Sequence, residues 1–425
     1  MNCISGTTLL LCLIACTACG APASETESVP TTPNYRVHYQ IDAVPNEGLV
    51  TVEMIVEQSR GNLRELSFST AGSQLFNIDG DGELITDGDI IRWLPERVGG
   101  RLRWQVKIAN KRSSGAFDSW LDGGWGIFRV EDIIPRAQTR TLKGANSETS
   151  MTFGLPPGWS AVSEYSSLKS RIEVDNPSRR FDQPSGWLAM GVLGIRRETI
   201  AGTRIAVAAP EGENVRRMDM LALLNWVLPE LNGILPDHLP RLTIVSAGDP
   251  MWRGGLSAPA SLFIHADRPL ISENATSTLV HELMHVAMGI TADDGFDWIV
   301  EGLAEYYSLE LLQRGGAITA RRYKRALETQ AKWAKKSEKL CGRQSTGANT
   351  ARAVVVFRNL DVEIRRTSAG KLSLDDVVVE LSTRPSGITL SILVSTVTKL
   401  LQENPTTLKI DALPGCQNYM PTSEA

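Results

Sequence analysis

The sequence contains no basic tract, no stretch that interleaves basic and aromatic residues, and no long apolar run after its first twenty positions. Its 425 residues include 44 lysines and arginines against 48 aspartates and glutamates, so the net charge is only −4. This near balance gives no support to nucleic-acid binding. A membrane-spanning helix needs about 20 consecutive apolar residues. We therefore expect contact with a membrane only through a lipid anchor at the amino terminus.

Histidine is also scarce, yet two of the five histidines lie four residues apart around a glutamate, in the His-Glu-Leu-Met-His segment at 281–285. The surrounding residues 275–289 contain no proline, and glycine occurs only at their end. This pattern predicts a helix that Ser272 or Asn274 caps and that Gly289 ends. Two histidines with satisfied hydrogen bonds in a hydrophobic core are the alternative interpretation.

Residues four apart share one face of a helix, so His281 and His285 can bind the same metal ion, with Glu282 beside it as a general base. Catalytic zinc takes three protein ligands and keeps a fourth position for water. A second predicted helix offers Glu301 as the third ligand. Glu305, one turn further on, is assigned to orient a liganding imidazole. The opposite assignment of these two glutamates stays open, as does a solvent-exposed role for Glu305.

These segments resemble the gluzincin peptidases, in particular the glycyl aminopeptidase family and the related leucine- and alanine-type aminopeptidases. In those families the helix is followed by a Trp-x-x-Glu-Gly-x-x-x-Tyr-type segment, which Trp298, Glu301, Gly302 and Tyr306 match. The resemblance extends weakly over residues 35–405, without a PDZ module. It implies a thermolysin-like zincin catalytic domain, Zn²⁺ as the cofactor, and a peptide or protein as the substrate.

The chain departs from this resemblance at the group that stabilises the oxyanion. The related aminopeptidases place a tyrosine two residues before a Lys-Gly pair, and the matching position here is Thr350. Loss of one such donor typically costs about 10²- to 10³-fold in rate. For each candidate replacement, a packing or surface role is the alternative. The candidates are Tyr306, Tyr307, Tyr323 and Arg352.

A second departure lies in residues 254–264, which the resemblance places at the substrate-binding edge strand, with Gly255, Leu256 and Ser257 beside the substrate. The aminopeptidases carry a glutamate there that pairs with the free α-ammonium group of the substrate. This stretch contains no glutamate, which favours an endopeptidase over an aminopeptidase. A catalytically impaired zincin that binds peptides, as a chaperone-like envelope lipoprotein, is the alternative. Retention of Glu282 favours the enzyme.

The amino terminus, residues 1–19, is a short hydrophobic run followed by small residues and cysteines, as in a bacterial lipoprotein export signal. The apolar residues before Cys16 fit that signal better, whereas cysteine parity favours Cys19 as the acylated residue. Processing at Cys19 leaves Cys341 and Cys416 to form a disulfide in an oxidising compartment. The sequence thus predicts a periplasm-facing lipoprotein of the bacterial envelope, such as one on the outer membrane. A secreted protein with an ordinary signal is the alternative.

The remaining chain divides by periodicity, after a flexible linker at 20–34. Alternating strands separated by turn residues predict an antiparallel β-sandwich over 35–210. Helical periodicity with short strands predicts the zincin catalytic domain over 211–345 and a helical carboxy-terminal region over 346–410, before a tail at 411–425. The predicted fold class is therefore α+β and multidomain, with the sandwich first, the catalytic domain next and the helices last.

Overall fold

The computed structural model describes residues 34–165, 171–175, 181–236, 239–384 and 387–419. The predicted export signal with Cys16 and Cys19, the linker before Asn34 and the end of the tail lie outside the described residues. None of the helices in the described part of the chain is long and apolar enough to cross a membrane.

The first half of the described chain is built from strands, and three sheets surround one hydrophobic core that includes the buried Trp93 and Trp104. The strands are β1 (Asn34–Val44), β2 (Leu49–Glu57), β3 (Leu63–Ser69), β4 (Leu75–Gly80), β5 (Glu83–Asp87), β6 (Ile90–Leu94), β7 (Gly99–Lys107), β8 (Ala109–Lys111), β9 (Phe117–Leu121), β10 (Trp125–Arg129), β11 (Ala137–Thr141), β12 (Asn146–Gly154), β13 (Ser160–Val162), β14 (Ile172–Val174), β15 (Trp187–Gly191), β16 (Leu193–Ile200) and β17 (Thr203–Pro210). The sheet orders are β14-β12-β1-β2-β7-β4, β13-β15-β10-β9-β8 and β11-β3-β6-β5.

Two features of these strands differ from the predicted sandwich. The strand β1 pairs in parallel with β12, so the first sheet is not purely antiparallel. The hairpin of β16 and β17 also belongs to a different sheet, because β17 pairs in parallel with a strand of the second half. Alternation along a strand shows which residues are buried, but it does not identify the partner strand.

The second half combines helices with the remaining strands around a second hydrophobic core. Its elements are α2 (Arg217–Ile234), β18 (Arg241–Ala247), β19 (Gly255–Ala258), β20 (Ser261–His265), α3 (Thr278–Met288), α4 (Asp297–Arg314), α5 (Ala320–Ala334), α6 (Ala348–Thr367), α7 (Leu374–Ser382) and α8 (Leu390–Leu401). The short helix α1 (Val130–Ile133) lies in the first half, and single 3₁₀ turns occur at Pro45–Glu47, Ile410–Ala412 and Gln417–Tyr419.

A five-stranded mixed sheet of order β16-β17-β18-β20-β19 supports the second half. The strand β19 is at its edge and pairs antiparallel with β20 only. An edge strand leaves one row of backbone N–H and C=O groups without a strand partner. Because α3 packs against both β19 and β20, this open edge runs directly beside the predicted metal-binding helix.

Gly302 sets how closely α4 and α6 approach. A Cβ atom at this position would lie 2.4 Å from the Cβ of Ala353 on α6, so any larger residue would push the two helices apart. The ring of Trp298 stacks on that of Phe357 at 5.7 Å in the same contact. This packing holds the face of α4 that carries Glu301 in a defined position relative to the core.

Cys341 and Cys416 form a disulfide between the segment after α5 and the end of the chain, and both are buried. We expect Cys341→Ser with Cys416→Ser to lower the free energy of unfolding by about 2–4 kcal/mol, because the bond constrains the unfolded chain. The cysteines are 75 residues apart, which makes the constrained loop long. Urea unfolding of the oxidised and reduced protein would measure this. A reductant that left wild-type unfolding unchanged would contradict the prediction.

Candidate metal centre

The helix α3 begins later than the sequence pattern predicts. Ser277 caps it, accepting a hydrogen bond from the backbone amide three residues on at 3.3 Å. The predicted caps do not do so: Ser272 bonds instead to Thr276 in the preceding turn, and Asn274 also lies before the helix. Gly289 ends the helix with a left-handed φ of +61°, as predicted. Both motif histidines lie within the helix, His281 at the end of its first turn and His285 in its last.

Three side chains from α3 and α4 converge at one point. The Nε2 atoms of His281 and His285 are 3.1 Å apart. Glu301 places Oε2 at 3.4 Å from Nε2 of His281 and Oε1 at 3.4 Å from Nε2 of His285. In the described part of the chain, no other group of three potential ligands comes within 4.8 Å of one another. Two imidazole nitrogens and one carboxylate are the donor set of many catalytic zinc sites, so these residues fit that ion.

Glu305 contacts the opposite side of one imidazole. Its Oε2 lies 3.1 Å from Nδ1 of His281, and its Oε1 accepts a hydrogen bond at 3.0 Å from Nε2 of Gln330 on α5. A carboxylate at Nδ1 holds the proton on that nitrogen and leaves Nε2 free for a metal ion. The contacts therefore match Glu301 as the ligand and Glu305 as the orienting carboxylate. No motif in the sequence pointed to Gln330.

We expect Glu305→Gln to weaken zinc binding by about 10- to 100-fold, because the amide cannot hold the imidazole in the same tautomer with equal strength. Competition with a chromophoric zinc chelator would measure the affinity. Glu328→Gln, on the exposed face of α5, is the matched control and should bind zinc as the wild type does. If Glu305→Gln and Glu328→Gln bound zinc with equal affinity, Glu305 would have no role in orienting the metal ligand.

Glu282 is buried between α3 and the edge strand, with only 8% of its surface exposed. A Cβ atom at Gly255 would lie 2.7 Å from Cγ of Glu282, so glycine is needed for β19 to come this close. Ser257 lies beside the Glu282 carboxylate; burial raises the pKa of Glu282, and the hydroxyl and backbone amide of Ser257 lower it. Between them, the carbonyl oxygen of Leu256 accepts a hydrogen bond from Nε1 of Trp187 at 2.9 Å. All three predicted edge-strand residues thus lie on β19, and Gly255 and Ser257 lie beside Glu282.

The pKa values of the titrating groups in the centre are shifted in different directions. Burial raises the pKa of Glu282, the charge of His281 opposes this, and the carboxylate of Glu301 adds to it. Burial lowers the pKa of His281, but hydrogen bonds with Glu301 and Glu305 outweigh burial and bring it well above the ordinary value. Burial and the neighbouring charge of His281 lower the pKa of His285 to about 4. His285 is therefore neutral near pH 7, the form that binds metal ions.

The predicted oxyanion stabilisers are engaged outside this centre. Tyr306 is buried and hydrogen-bonds with Tyr323. The other groups donate to partners elsewhere: Tyr323 to Glu310, Tyr307 to Asp375 at 2.7 Å, and Arg352 to the carbonyl oxygen of Ser337 at 2.6 Å. The tertiary contacts therefore favour structural roles for Tyr307 and Tyr323, whose hydroxyls donate to carboxylates. The buried Nε of Arg352 has no hydrogen-bond partner among the described residues.

A cavity of about 220 Å³ opens above Glu282 and His281, and sequence reasoning missed several residues in its wall. Trp252 and Arg268, from the connections around β19 and β20, line it. The guanidinium of Arg112 lies 3.8 Å above the Trp252 ring, so the first half of the chain supports this wall. These residues belong to loops without a recognisable motif, and only the fold brings them to the site.

A larger cavity of about 760 Å³ lies elsewhere, beside the ion pair of Glu164 and Arg241. It contains none of the metal-binding residues. The set of metal-binding side chains, and not the volume of the cavity, therefore identifies the candidate site.

No protein-family model matches the sequence, and no curated protein matches it. Among solved structures, the chain is similar to an aminopeptidase N family protein from Idiomarina loihiensis, with 17% identity and a TM-score of 0.64. The similarity covers 89% of this chain and 76% of that one. At this identity the likeness concerns the fold alone. It confirms the predicted α+β architecture, in which sheets are combined with a helical layer.

Proposed function

We propose that this chain is a zinc-dependent peptidase that cleaves within peptide chains. His281, His285 and Glu301 would hold the zinc ion, which when bound lowers the pKa of water and polarises a carbonyl group. The observation that carries the proposal is the position of Glu282, buried beside the imidazole of His281 and against an open edge strand. A metal site with a purely structural role needs no such base.

The edge strand β19 is the surface on which a peptide would lie. Gly254 accepts a hydrogen bond from the amide of His265 in the neighbouring segment, so alternate residues of β19 face β20. The backbone N–H and C=O groups of Gly255 and Ser257 face the open side, because hydrogen-bonding directions alternate along a strand. Those of Ser257 already contact Glu282 and Arg129, so a peptide would pair with the backbone of Gly255. A peptide added there as a further strand would have its scissile carbonyl near Glu282, which both residues contact.

Glu282 would act first as a base and then as an acid. It takes a proton from the water that attacks the scissile carbonyl, and it donates this proton to the departing amine. Burial raises the pKa of Glu282 above that of an ordinary glutamate, which makes it a stronger base. General acid–base help of this kind is worth about 10²- to 10⁴-fold in rate.

Endopeptidase activity is favoured over aminopeptidase activity because β19 offers no carboxylate for a free α-ammonium group. Its residues Leu256, Ser257 and Ala258 carry no charge. The carboxylates that line the cavity, Glu282 and Glu305, are engaged by Ser257 and by the imidazole of His281. A substrate amino terminus therefore finds no free carboxylate among the described residues of this wall.

Matched peptides with free and acetylated amino termini test the proposal. The zinc-loaded mature protein should cleave both forms at the same internal bonds, while Glu282→Gln serves as the blank. Mass spectrometry of the products locates the bonds. Cleavage restricted to free amino termini would overturn the endopeptidase proposal and support an aminopeptidase.

The second candidate is a catalytically impaired zincin that binds peptides as a chaperone-like protein. The observation in its favour is that Tyr323 and Arg352 donate hydrogen bonds to groups outside the metal centre. Saturable binding of the acetylated peptide, with no turnover above the Glu282→Gln blank, would favour this candidate.

We also propose that the mature protein is a lipoprotein of the bacterial envelope, facing the periplasm and anchored through Cys19 or Cys16. The disulfide between Cys341 and Cys416 supports an oxidising compartment. Mass spectrometry of the mature amino terminus would test this, since a free amino terminus without lipid would indicate secretion.

A further inference from the structure

We propose that Arg129 forms a carboxylate-binding subsite at β19, and that the site prefers peptides with an aspartate or glutamate side chain close to the scissile bond. This inference rests on the proposed function and names the substrate class for the same site. It concerns a residue of the first half of the chain that no motif singled out.

Arg129 is the last residue of β10, and its guanidinium lies against the edge strand. Its Nη2 donates to the carbonyl oxygen of Ser257 at 3.4 Å. The guanidinium carbon is 5.1 Å from the centre of the Trp187 ring, and the same ring donates from Nε1 to the carbonyl oxygen of Leu256. The aromatic ring thus holds the guanidinium beside the backbone along which a substrate would lie.

The guanidinium keeps unused donors. Its Nε is buried and has no hydrogen-bond partner among the described residues, and no carboxylate of the described chain lies within ion-pair distance of it. Burial raises the pKa of Glu131 and the charge of Arg129 lowers it, but the Glu131 carboxylate accepts its hydrogen bond from the amide of Gly186. Asp132 accepts one from the hydroxyl of Ser119. A guanidinium has five donors, and burying them without acceptors is costly. Within the described chain, the Nε–H of Arg129 therefore lacks an acceptor.

Ser257 connects this cation to the catalytic carboxylate. Its carbonyl oxygen contacts Arg129, while its hydroxyl and amide lie beside Glu282. A peptide whose scissile bond lies over Glu282 would therefore bring a neighbouring side chain to Arg129. The planar guanidinium binds a carboxylate through two parallel hydrogen bonds. The same charge repels a free α-ammonium group.

The probes are N-acetylated, C-amidated peptides in which one glutamate moves through the positions on either side of the cleaved bond, each with a glutamine twin. We expect the best glutamate peptide to exceed its twin in kcat/KM by at least about tenfold. In Arg129→Gln this ratio should fall to about one, while cleavage of the glutamine twin persists and shows that the variant is folded. Arg129→Lys should keep part of the ratio, because lysine retains the positive charge but cannot form two parallel hydrogen bonds with a carboxylate.

Arg92→Gln is the matched control. It removes another arginine of the first half, one that is paired with Glu65 at 3.0 Å, and it should leave the ratio unchanged. Equal rates for the two peptides in the wild type would overturn the subsite. A ratio that survives Arg129→Gln would also overturn it and would assign the recognition to another cation, such as Arg268.

Two further arms separate this inference from the proposed function. Fluorescence anisotropy with zinc-loaded Glu282→Gln measures the binding of both peptides without turnover. Tighter binding of the glutamate peptide there, without hydrolysis by the wild type, would support the subsite and overturn the peptidase. Hydrolysis without preference would overturn the subsite alone. A peptide with a free carboxy terminus and no glutamate tests the other source of a carboxylate, and preference for it alone would contradict the proposal.

Discussion

Replacement of Glu282 by glutamine is expected to remove peptide hydrolysis and to leave zinc bound. Glutamine preserves the size of the side chain beside Gly255 and Ser257. It cannot accept a proton from water at neutral pH. We therefore expect kcat to fall by about 10²- to 10⁴-fold, the range that general acid–base catalysis supplies, with little change in KM.

Steady-state hydrolysis of an acetylated peptide, together with the zinc content of the same samples, measures both parts of this prediction. Glu328→Gln is the control for loss of a glutamate and should keep full activity. Hydrolysis by Glu282→Gln at the wild-type rate would show that Glu282 is not the general base. Loss of zinc from that variant would instead make Glu282 a ligand and would require a different donor set.

Replacement of His285 by alanine is expected to abolish stoichiometric zinc binding together with activity. The structure offers three donors, and removing one leaves only His281 and Glu301. Because even a residue that merely supports a ligand is worth about 10- to 100-fold in affinity, loss of a direct ligand should exceed 100-fold. Activity should fall to that of the metal-free protein.

His38→Ala is the matched control, since this histidine bonds to Ser150 and Thr152 on the first sheet and lies outside the metal centre. It should retain one zinc ion per chain. Metal analysis after dialysis, with circular dichroism to show that both variants fold, distinguishes the outcomes. One zinc ion retained in His285→Ala would mean that the ion binds elsewhere.

Local sequence patterns were enough to predict the candidate metal centre, because each pair of its residues lies on a single helix. His281 and His285 share a face of one helix, and Glu301 and Glu305 share a face of the next, so spacing alone predicted which side chains converge. The same patterns failed where three nearby residues were equally suited to cap one helix. Ser272, Asn274 and Ser277 all suit a helix cap, and tertiary contacts, not the residue type, decide which of them begins α3.

The sequence by itself determined the parts of the proposed chemistry: the candidate donor set, the glutamate between the two histidines, and the absence of a carboxylate on the edge strand. Only the tertiary structure decided what surrounds that chemistry. Gln330 reaches Glu305 from α5, and Arg129 reaches Ser257 from a strand more than a hundred residues earlier in the chain. Such contacts depend on how sheets and helices pack to bury their apolar faces. Periodicity within a segment reports which face is buried, but not what lies against it.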